Sequence, residues 1–314
     1  MQTLFDLTQN GYDILTCGTN SIILKKGDYA YKITREFSSV DVMGVKRTLD
    51  RLKEEGVNVL PILNVEEVRF HSATDFNLAV GALMDAKHTN QKWDAPYNET
   101  LQHMKEKNCY VLTMLKFDFV EGVNLFGDKR LEGLKLINKT PTLATAKVLH
   151  PVIIEKLNSN LLPNLQIAET LSSREIYKFM DDGNKILQTG LSIDNRTGDN
   201  FIYGTDAYGN RGIFFIDLGG IEKMSRGVSK GETNLFFATI DNLCKMIYVE
   251  TKADLGEATN RIAKVYGKYD AALKKYLKQN PGCKTQFEEY MKRDNYYSKL
   301  QKSFGDGGTE HQPE

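Results

Sequence analysis

Four side chains of this 314-residue sequence carry groups that suit a phosphate and a divalent cation. Lys32 follows the turn-like Gly-Thr-Asn-Ser at residues 18–21, and an ammonium near turn N–H groups suits an anion. Asn200 and Asp217 offer the hard oxygen ligands that Mg²⁺ prefers. Asp194 is a carboxylate of the type that orients a hydroxyl and accepts its proton. Together these groups predict chemistry on a phosphate ester with a magnesium ion.

Each fragment alone also has an ordinary structural explanation. A lone lysine on a strand is usually solvated, and Asp-Leu-Gly at residues 217–219 is a common exit from a strand into a turn. Asp194 and Asn200 would equally serve as turn residues. Their order along the chain, and the elements around them, select the chemical interpretation.

Lys32 falls on the last strand of a predicted antiparallel meander. Its three short strands are Tyr12 to Thr16, Ser21 to Leu24 and Tyr29 to Ile33. A helix is predicted next, ending at Gly56, because apolar residues recur at helical spacing. They are Val42, Val45, Leu49 and Leu52.

Two further strand-like runs, residues 59–70 and 109–117, complete a predicted five-stranded antiparallel lobe that ends near Phe117. Residues 71–108 between them are polar and poorly periodic, and we interpret them as an insertion. The sequence Asp-Phe-Val-Glu-Gly at residues 118–122 is interpreted as a connector.

The remainder of the chain is predicted to be mainly helical. Ser172 and Glu175 stand in capping-box register for a helix that extends to Thr189, with Leu171 and Ile176 placed as a hydrophobic staple. A short hairpin follows, in which Asn-Phe-Ile-Tyr and Ile-Phe-Phe-Ile-Asp flank a turn rich in Gly, Asn and Asp. Long helical patterns then cover residues 235–249, 255–277 and 285–304.

These elements predict an α+β chain with three parts. They are a β-rich N-lobe at residues 1–117, a mainly helical C-lobe at residues 118–304 and a flexible tail at residues 305–314. The order of the sites on these parts resembles that of the protein-kinase-like superfamily, over about residues 11–250. The resemblance implies a bilobal fold that binds ATP and Mg²⁺ in a cleft near residues 115–121.

Within that resemblance, the N-lobe residues are assigned to the nucleotide. Gly18 and Ser21 are similar to a compressed glycine loop, and Lys32 to the strand-three lysine that neutralises the α- and β-phosphates. The loop has one glycine where the family has three. Asp50 on the first helix is the preferred acidic partner for Lys32. The other acidic residues considered for this pairing are Asp41, Glu54 and Glu55.

The C-lobe residues are assigned to the acceptor and the metal. Asp194 resembles the catalytic-loop aspartate, while Asn200 and Asp217 resemble the two metal ligands, the second within Asp-Leu-Gly in place of Asp-Phe-Gly. The spacing from Asp194 to Asn200 is one residue longer than in the family, so Asp199 remains an alternative for either role. His-Arg does not precede Asp194, and no Ala-Pro-Glu follows Asp217.

The function implied by the resemblance is Mg²⁺-dependent transfer of the ATP γ-phosphoryl group to a protein hydroxyl. The divergence is similar to that of Ser/Thr kinase-like effectors that pathogenic bacteria secrete into host cells, some of which use a host inositol polyphosphate as activator. A locally basic segment is the candidate anion pocket for such an activator. It contains Lys129, Arg130, Lys135, Lys139, Lys147 and Lys156.

Three alternatives share the same fold. One is a small-molecule kinase of the aminoglycoside or choline type, another an AMP transferase, and the third a pseudokinase scaffold that binds nucleotide without catalysis. The single loop glycine and the absent His-Arg favour the scaffold over an active kinase.

Composition and motifs exclude several other classes. Lys plus Arg and Asp plus Glu each total 41, so no global charge favours nucleic acid or an anionic membrane. The first residues lack a signal peptide, and no run is apolar enough for a membrane span, which predicts a cytoplasmic-type protein. Four scattered cysteines describe neither a zinc site nor a disulfide scaffold. The P-loop, HExxH and GxSxG motifs are absent.

Overall fold

The computed structural model shows an α+β protein with antiparallel sheets, which confirms the α+β part of the predicted fold class, while the bilobal kinase-like arrangement stays a prediction. It describes residues 10–17, 21–34, 39–69, 106, 111–125, 161–193, 200–216, 218–221, 236, 239–240, 243–244, 246–247, 251 and 255–292. The predicted tail, the basic segment at residues 129–156 and all of the predicted insertion except Glu106 lie outside these residues.

The first sheet has five antiparallel strands, as predicted from the sequence. They are β1 (Asp13–Cys17), β2 (Ser21–Lys26), β3 (Tyr29–Thr34), β4 (Asn64–Arg69) and β5 (Val111–Asp118). The spatial order is β1-β2-β3-β5-β4, so β3 is the middle strand. Gly27, with φ of 59°, makes the tight turn between β2 and β3 that places them in register.

The first helix, α1 (Ser39–Glu54), buries the apolar stripe that its spacing predicts. The buried residues are Val42, Val45, Leu49 and Leu52. The chain leaves the helix at Gly56, whose φ of 76° is a left-handed conformation that glycine adopts at little cost. The end of the helix in the structure therefore agrees with the end predicted at Gly56.

Two consecutive helices follow in the described part of the second half, α2 (Leu161–Thr170) and α3 (Ser173–Gln188). The predicted capping box is present: Ser172 Oγ accepts from Glu175 N, and the Glu175 carboxylate accepts from Ser172 N at 2.8 Å. Helix α2 was not predicted from the sequence. Arg261 later in the chain pairs with Glu169 of α2 through two contacts of 2.7 Å.

A second sheet contains the predicted hairpin and a strand that was interpreted as part of the connector. Its strands are β6 (Glu121–Asn124), β8 (Phe201–Thr205) and β9 (Arg211–Phe215), in the order β6-β8-β9. The connector interpretation of residues 118–122 is thus wrong at its end, because Glu121 and Gly122 pair as strand residues. Glu, Gly and Asn make up most of β6, and their low β-propensity gives no signal for a strand.

A two-stranded sheet pairs β7 (Leu191–Ser192) with β10 (Gly219–Ile221). The described residues end with α4 (Leu255–Gln279), a 3₁₀ turn (Pro281–Cys283) and α5 (Lys284–Met291). Helix α4 packs along α3. The described residues between 236 and 247 are helical and buried, in agreement with the predicted helix at 235–249.

The chain divides into two compact units. One comprises Met1–Glu121 together with Asp206–Asn210, and the other comprises Gly122–Thr205 together with Arg211–Glu314. The turn of the β8–β9 hairpin therefore belongs to the first unit, and its strands belong to the second. The division into lobes at residues 1–117 and 118–304 stays a prediction. No helix of the described residues is long and apolar enough to cross a bilayer.

Strand β6 approaches β8 so closely at Gly122 that a side chain does not fit there. A Cβ atom at this position would overlap the Tyr203 carbonyl oxygen and lie 2.7 Å from Gly204 Cα, both of them backbone atoms. Gly122→Ala is therefore expected to lower the free energy of unfolding by about 1–3 kcal/mol. The control is Gly267→Ala in α4, where a Cβ meets no atom within 4 Å, and which should stabilise by up to about 1 kcal/mol. Urea denaturation of both variants measures this, and equal stabilities would contradict the close approach.

Candidate functional site

Lys32 lies in the middle of the first sheet and is only 8% exposed. On β3 it is opposite Ile23 of β2 and Leu115 of β5. A lysine this buried between apolar neighbours is rare, because removing its ammonium from water costs free energy that only a polar or charged partner can offset. The explanation of Lys32 as a solvated strand lysine is therefore wrong.

The predicted phosphate-binding turn precedes β2. Gly18 lies outside the described residues. Ser21 is the first residue of β2 and is opposite Thr34, at the end of β3 two residues beyond Lys32. The backbone of Ser21 and the side chain of Lys32 thus belong to adjacent paired strands.

Asp50, the preferred partner for Lys32, forms an ion pair with Lys46 one helical turn earlier, at 3.1 Å. The Asp50 side chain is 40% exposed, so this pair contributes little to stability. Its pairing with Lys32 stays a prediction. Glu55, another residue considered for that role, lies 3.8 Å from Arg51.

Asn200 stands at the foot of the β8–β9 hairpin. The N–H of Ile216 donates to the Asn200 carbonyl oxygen at 2.9 Å, extending the ladder by one bond beyond the pair Phe201 and Phe215. Asp217 is the next residue after Ile216, and it lies outside the described residues. The chain segments that lead to the two candidate metal ligands are therefore hydrogen-bonded to each other.

The pairing of β7 with β10 brings in the third predicted acidic position. Ser192 is opposite Gly219 in an antiparallel pair. Residues that follow Ser192 and residues that precede Gly219 therefore leave the pair at the same end. Asp194 is two residues after Ser192 and Asp217 two residues before Gly219, while Asp194 and its alternative Asp199 both lie outside the described residues.

Three phenylalanine rings pack beneath the foot of the hairpin. Phe179 of α3 stacks on Phe215 with centroids 5.1 Å apart and meets Phe201 edge to face at the same separation. Phe201 and Phe215 themselves are 5.4 Å apart. Each such aromatic pair adds about 0.5–1.5 kcal/mol of stability beyond the burial of its surface. The rings therefore stabilise the backbone at Asn200 and Ile216.

A carboxylate holds the middle of the hairpin. Tyr203 Oη of β8 donates to Glu175 Oε1 at 2.9 Å, and Arg211 of β9 lies over the Tyr203 ring at 5.1 Å. Burial acts to raise the pKa of Glu175, but hydrogen bonds from Ser172 and Tyr203 outweigh it and lower the pKa. The capping box that starts α3 thus also fixes β8.

The sequence identified neither of these supports as part of the site. The three phenylalanines are far apart in the chain, and only Phe179 was assigned to a helix face. Glu175 was predicted as a cap alone. Phe201 and Tyr203 lie two residues apart on β8 and therefore share one face, toward Phe179 and Glu175 of α3; this spacing was the available signal.

Within the described ranges, no group of three or more His, Cys, Asp or Glu side chains could hold a metal ion. The predicted metal and acid positions Asp194, Asp199 and Asp217 are not among those residues. No protein-family model and no curated protein matches this sequence. The functional argument therefore depends on where Lys32 and Asn200 lie, and on β7 and β10, the strands next to Asp194 and Asp217 in the chain.

The aromatic packing predicts a selective loss of order at the foot of the hairpin. Phe179→Leu should lower the free energy of unfolding by about 1–2 kcal/mol and also speed hydrogen exchange of the Ile216 N–H, since that bond lies over the rings. Phe287→Leu is the matched control, because Phe287 is equally buried but packs on Phe236 and Tyr276. Equal acceleration of Ile216 exchange in both variants would show that the rings do not support this bond.

Proposed function

We propose that this protein is an Mg²⁺-dependent phosphotransferase on a bilobal kinase-like fold, which moves the γ-phosphoryl group of ATP to a protein hydroxyl. The observation that carries the proposal is the hydrogen bond between Ile216 and Asn200. It closes a hairpin at the two positions from which Asn200 and Asp217 would coordinate one cation.

Lys32 supports the nucleotide side of the proposal. Its neighbours across the sheet, Ile23 and Leu115, are apolar, and Ala30 lies on the same face of β3. This face would offer apolar contact to a base and one cation to the α- and β-phosphates. ATP would supply the transferable phosphoryl group, and Mg²⁺ would neutralise its charge.

The acceptor side depends on Asp194. Its carboxylate would orient the acceptor hydroxyl and take its proton as the oxygen–phosphorus bond forms, while ADP leaves with the electrons of the broken bond. Asp194 follows β7 in the chain and Asp217 precedes β10, and the antiparallel pairing of β7 with β10 supports a role for the two residues in one site. The support on the acceptor side thus consists of the bond from Ile216 to Asn200 and the pairing of β7 with β10.

The proposal is tested by intact-mass measurement after incubation with ATP and Mg²⁺, alone and with a generic acceptor protein. An added phosphate supports it, an added adenylate identifies an AMP transferase, and no addition with nucleotide still bound identifies a scaffold. A parallel sample with an inositol polyphosphate tests the activator, and a panel of aminoalcohols and aminoglycosides tests the small-molecule acceptors.

Three substitutions assign the roles. Lys32→Met, Asp194→Asn and Asp217→Asn should each lower the phosphotransfer rate by at least about 10²-fold. The substitutions remove, in that order, the cation beside the α- and β-phosphates, the proton acceptor and a charged metal ligand. The matched controls are Lys26→Met on the opposite face of the sheet and Asp270→Asn in α4, which should keep the rate. Unfolding midpoints without ligand show that the variants are folded.

Nucleotide binding has its own measurement. ATP with Mg²⁺ at about 100 times its dissociation constant should stabilise the protein by about 2.7 kcal/mol. Thermal unfolding should show this shift in the wild type and lose most of it in Lys32→Met. Unchanged phosphotransfer in both Lys32→Met and Asp217→Asn would overturn the proposal.

A further inference from the structure

An ion pair joins the end of α1 to the turn of the β8–β9 hairpin. Lys53 Nζ donates to Asp206 Oδ2 at 2.8 Å, and the Asp206 side chain is 2% exposed. Both residues belong to the first compact unit, although the strands on either side of the turn belong to the second. The contact spans 153 residues of sequence, so local structure does not account for it.

The turn closes without Lys53. Asp206 Oδ1 accepts the N–H groups of Tyr208 and Asn210, its N–H donates to the Asn210 carbonyl, and Gly209 supplies a φ of 82°. These bonds are those of a self-contained Asp turn. Asn210 Nδ2 donates to Asp206 Oδ2 at 3.1 Å, so Lys53 adds a fourth donor to a carboxylate that already holds its turn.

Bringing these two charges together has a cost. The Asp206 side chain is buried, while that of Lys53 is 26% exposed. Desolvating such a carboxylate consumes much of the free energy that its attraction to the lysine returns, so the pair is weak support for stability alone. What a buried pair does well is fix one element in one position relative to another. Here the two elements are α1, which carries Asp50, and the hairpin, which leads to Asn200 and Asp217.

We propose, on the basis of the phosphotransfer function above, that Lys53 and Asp206 are positioning residues that hold the turn of the β8–β9 hairpin on the end of α1 and so steady the hairpin whose foot carries Asn200. Neither residue contacts the reacting groups. Each strand from the turn to the foot has five residues, about 17 Å of extended chain. A shift of the turn is therefore transmitted along a paired ribbon to Asn200 and Ile216.

A second carboxylate competes for the same lysine. Asp118 of β5 is buried, and Lys53, Lys116 and Asp206 all act on it. Burial raises the pKa of Asp118 and the charge of Asp206 raises it further, while the two lysines oppose this rise. For Asp206 burial also acts to raise the pKa, but its bonds from Lys53 and Asn210 prevail and lower it.

The two carboxylates make a matched pair of variants. Asp206→Asn and Asp118→Asn each replace a buried Asp beside Lys53 by a residue of equal size. At pH 7 the first should lower the unfolding midpoint by roughly 5 °C, since a charge-assisted bond is lost. The second should raise the midpoint, because it removes a charge that burial disfavours.

The pH dependence has opposite signs at the two sites. The stabilisation from Asp206 is present above its unfolded pKa and is lost as the pH falls through its lowered folded pKa. The contribution of Asp118 is complete below the ordinary Asp value of 3.8 and is lost as the pH rises through its raised folded pKa. Thermal unfolding from pH 3 to pH 7 should therefore show the effect of Asp118→Asn growing as the pH rises. A constant effect across this range would contradict the assignment.

The proposal itself is tested by a double-mutant cycle with Lys53→Met, Asp206→Asn and both together. Two readouts are used: hydrogen exchange of the amides in α1 and in residues 207–210, and the Mg²⁺ concentration for half-maximal phosphotransfer. Each single variant should speed that exchange about tenfold and raise the Mg²⁺ requirement about tenfold. The double variant should be no worse than the worse single variant, and Lys53→Arg should restore both readouts.

The outcomes separate this inference from the proposed function. If the wild type transfers phosphate and the variants keep its Mg²⁺ requirement, or if the two substitutions act additively, the positioning role is overturned. If the wild type transfers nothing, the proposed function fails. The exchange cycle still decides whether Lys53 and Asp206 couple α1 to the turn, and a loss of midpoint without local exchange in these two segments would show a merely structural pair.

Discussion

The hydrogen bond from Ile216 N–H to the Asn200 carbonyl is the contact on which the candidate site depends. It joins the two chain segments that lead to the predicted metal ligands, and it exists because β8 and β9 are in register down to Phe201 and Phe215. A one-residue slip of either strand would turn the phenylalanine of that strand to the opposite face, away from Phe179. The register of the hairpin and the aromatic packing therefore specify each other.

The fold of the first unit could be predicted from the sequence because its signals are local. Alternating apolar residues, a glycine turn at Gly27 and a helical stripe from Val42 to Leu52 each act within a few residues. The short strands β6, β7 and β10 were missed for the opposite reason. They have two to four residues and form only because a partner distant in sequence offers a ladder.

The candidate site divides in the same way. The type and order of Lys32, Asn200 and Asp217 were readable from the sequence, whereas the burial of Lys32 was not, since a lysine alone predicts exposure. The contacts of Glu175 with Tyr203 and of Lys53 with Asp206 connect residues 28 and 153 positions apart. Only the folded register brings them together, so no spacing rule could reveal them.

Contacts at three places hold the hairpin along its length. Aromatic packing supports its foot, and this force does not respond to pH. Carboxylates hold its middle at Glu175 and its turn at Asp206, and folding lowers the pKa of both. Because a lowered pKa preserves a carboxylate's contribution until the solution is strongly acidic, both charged contacts persist together at neutral pH and weaken together in acid. The foot is held by packing of the phenylalanine rings, so this contact does not share the loss of stability in acid.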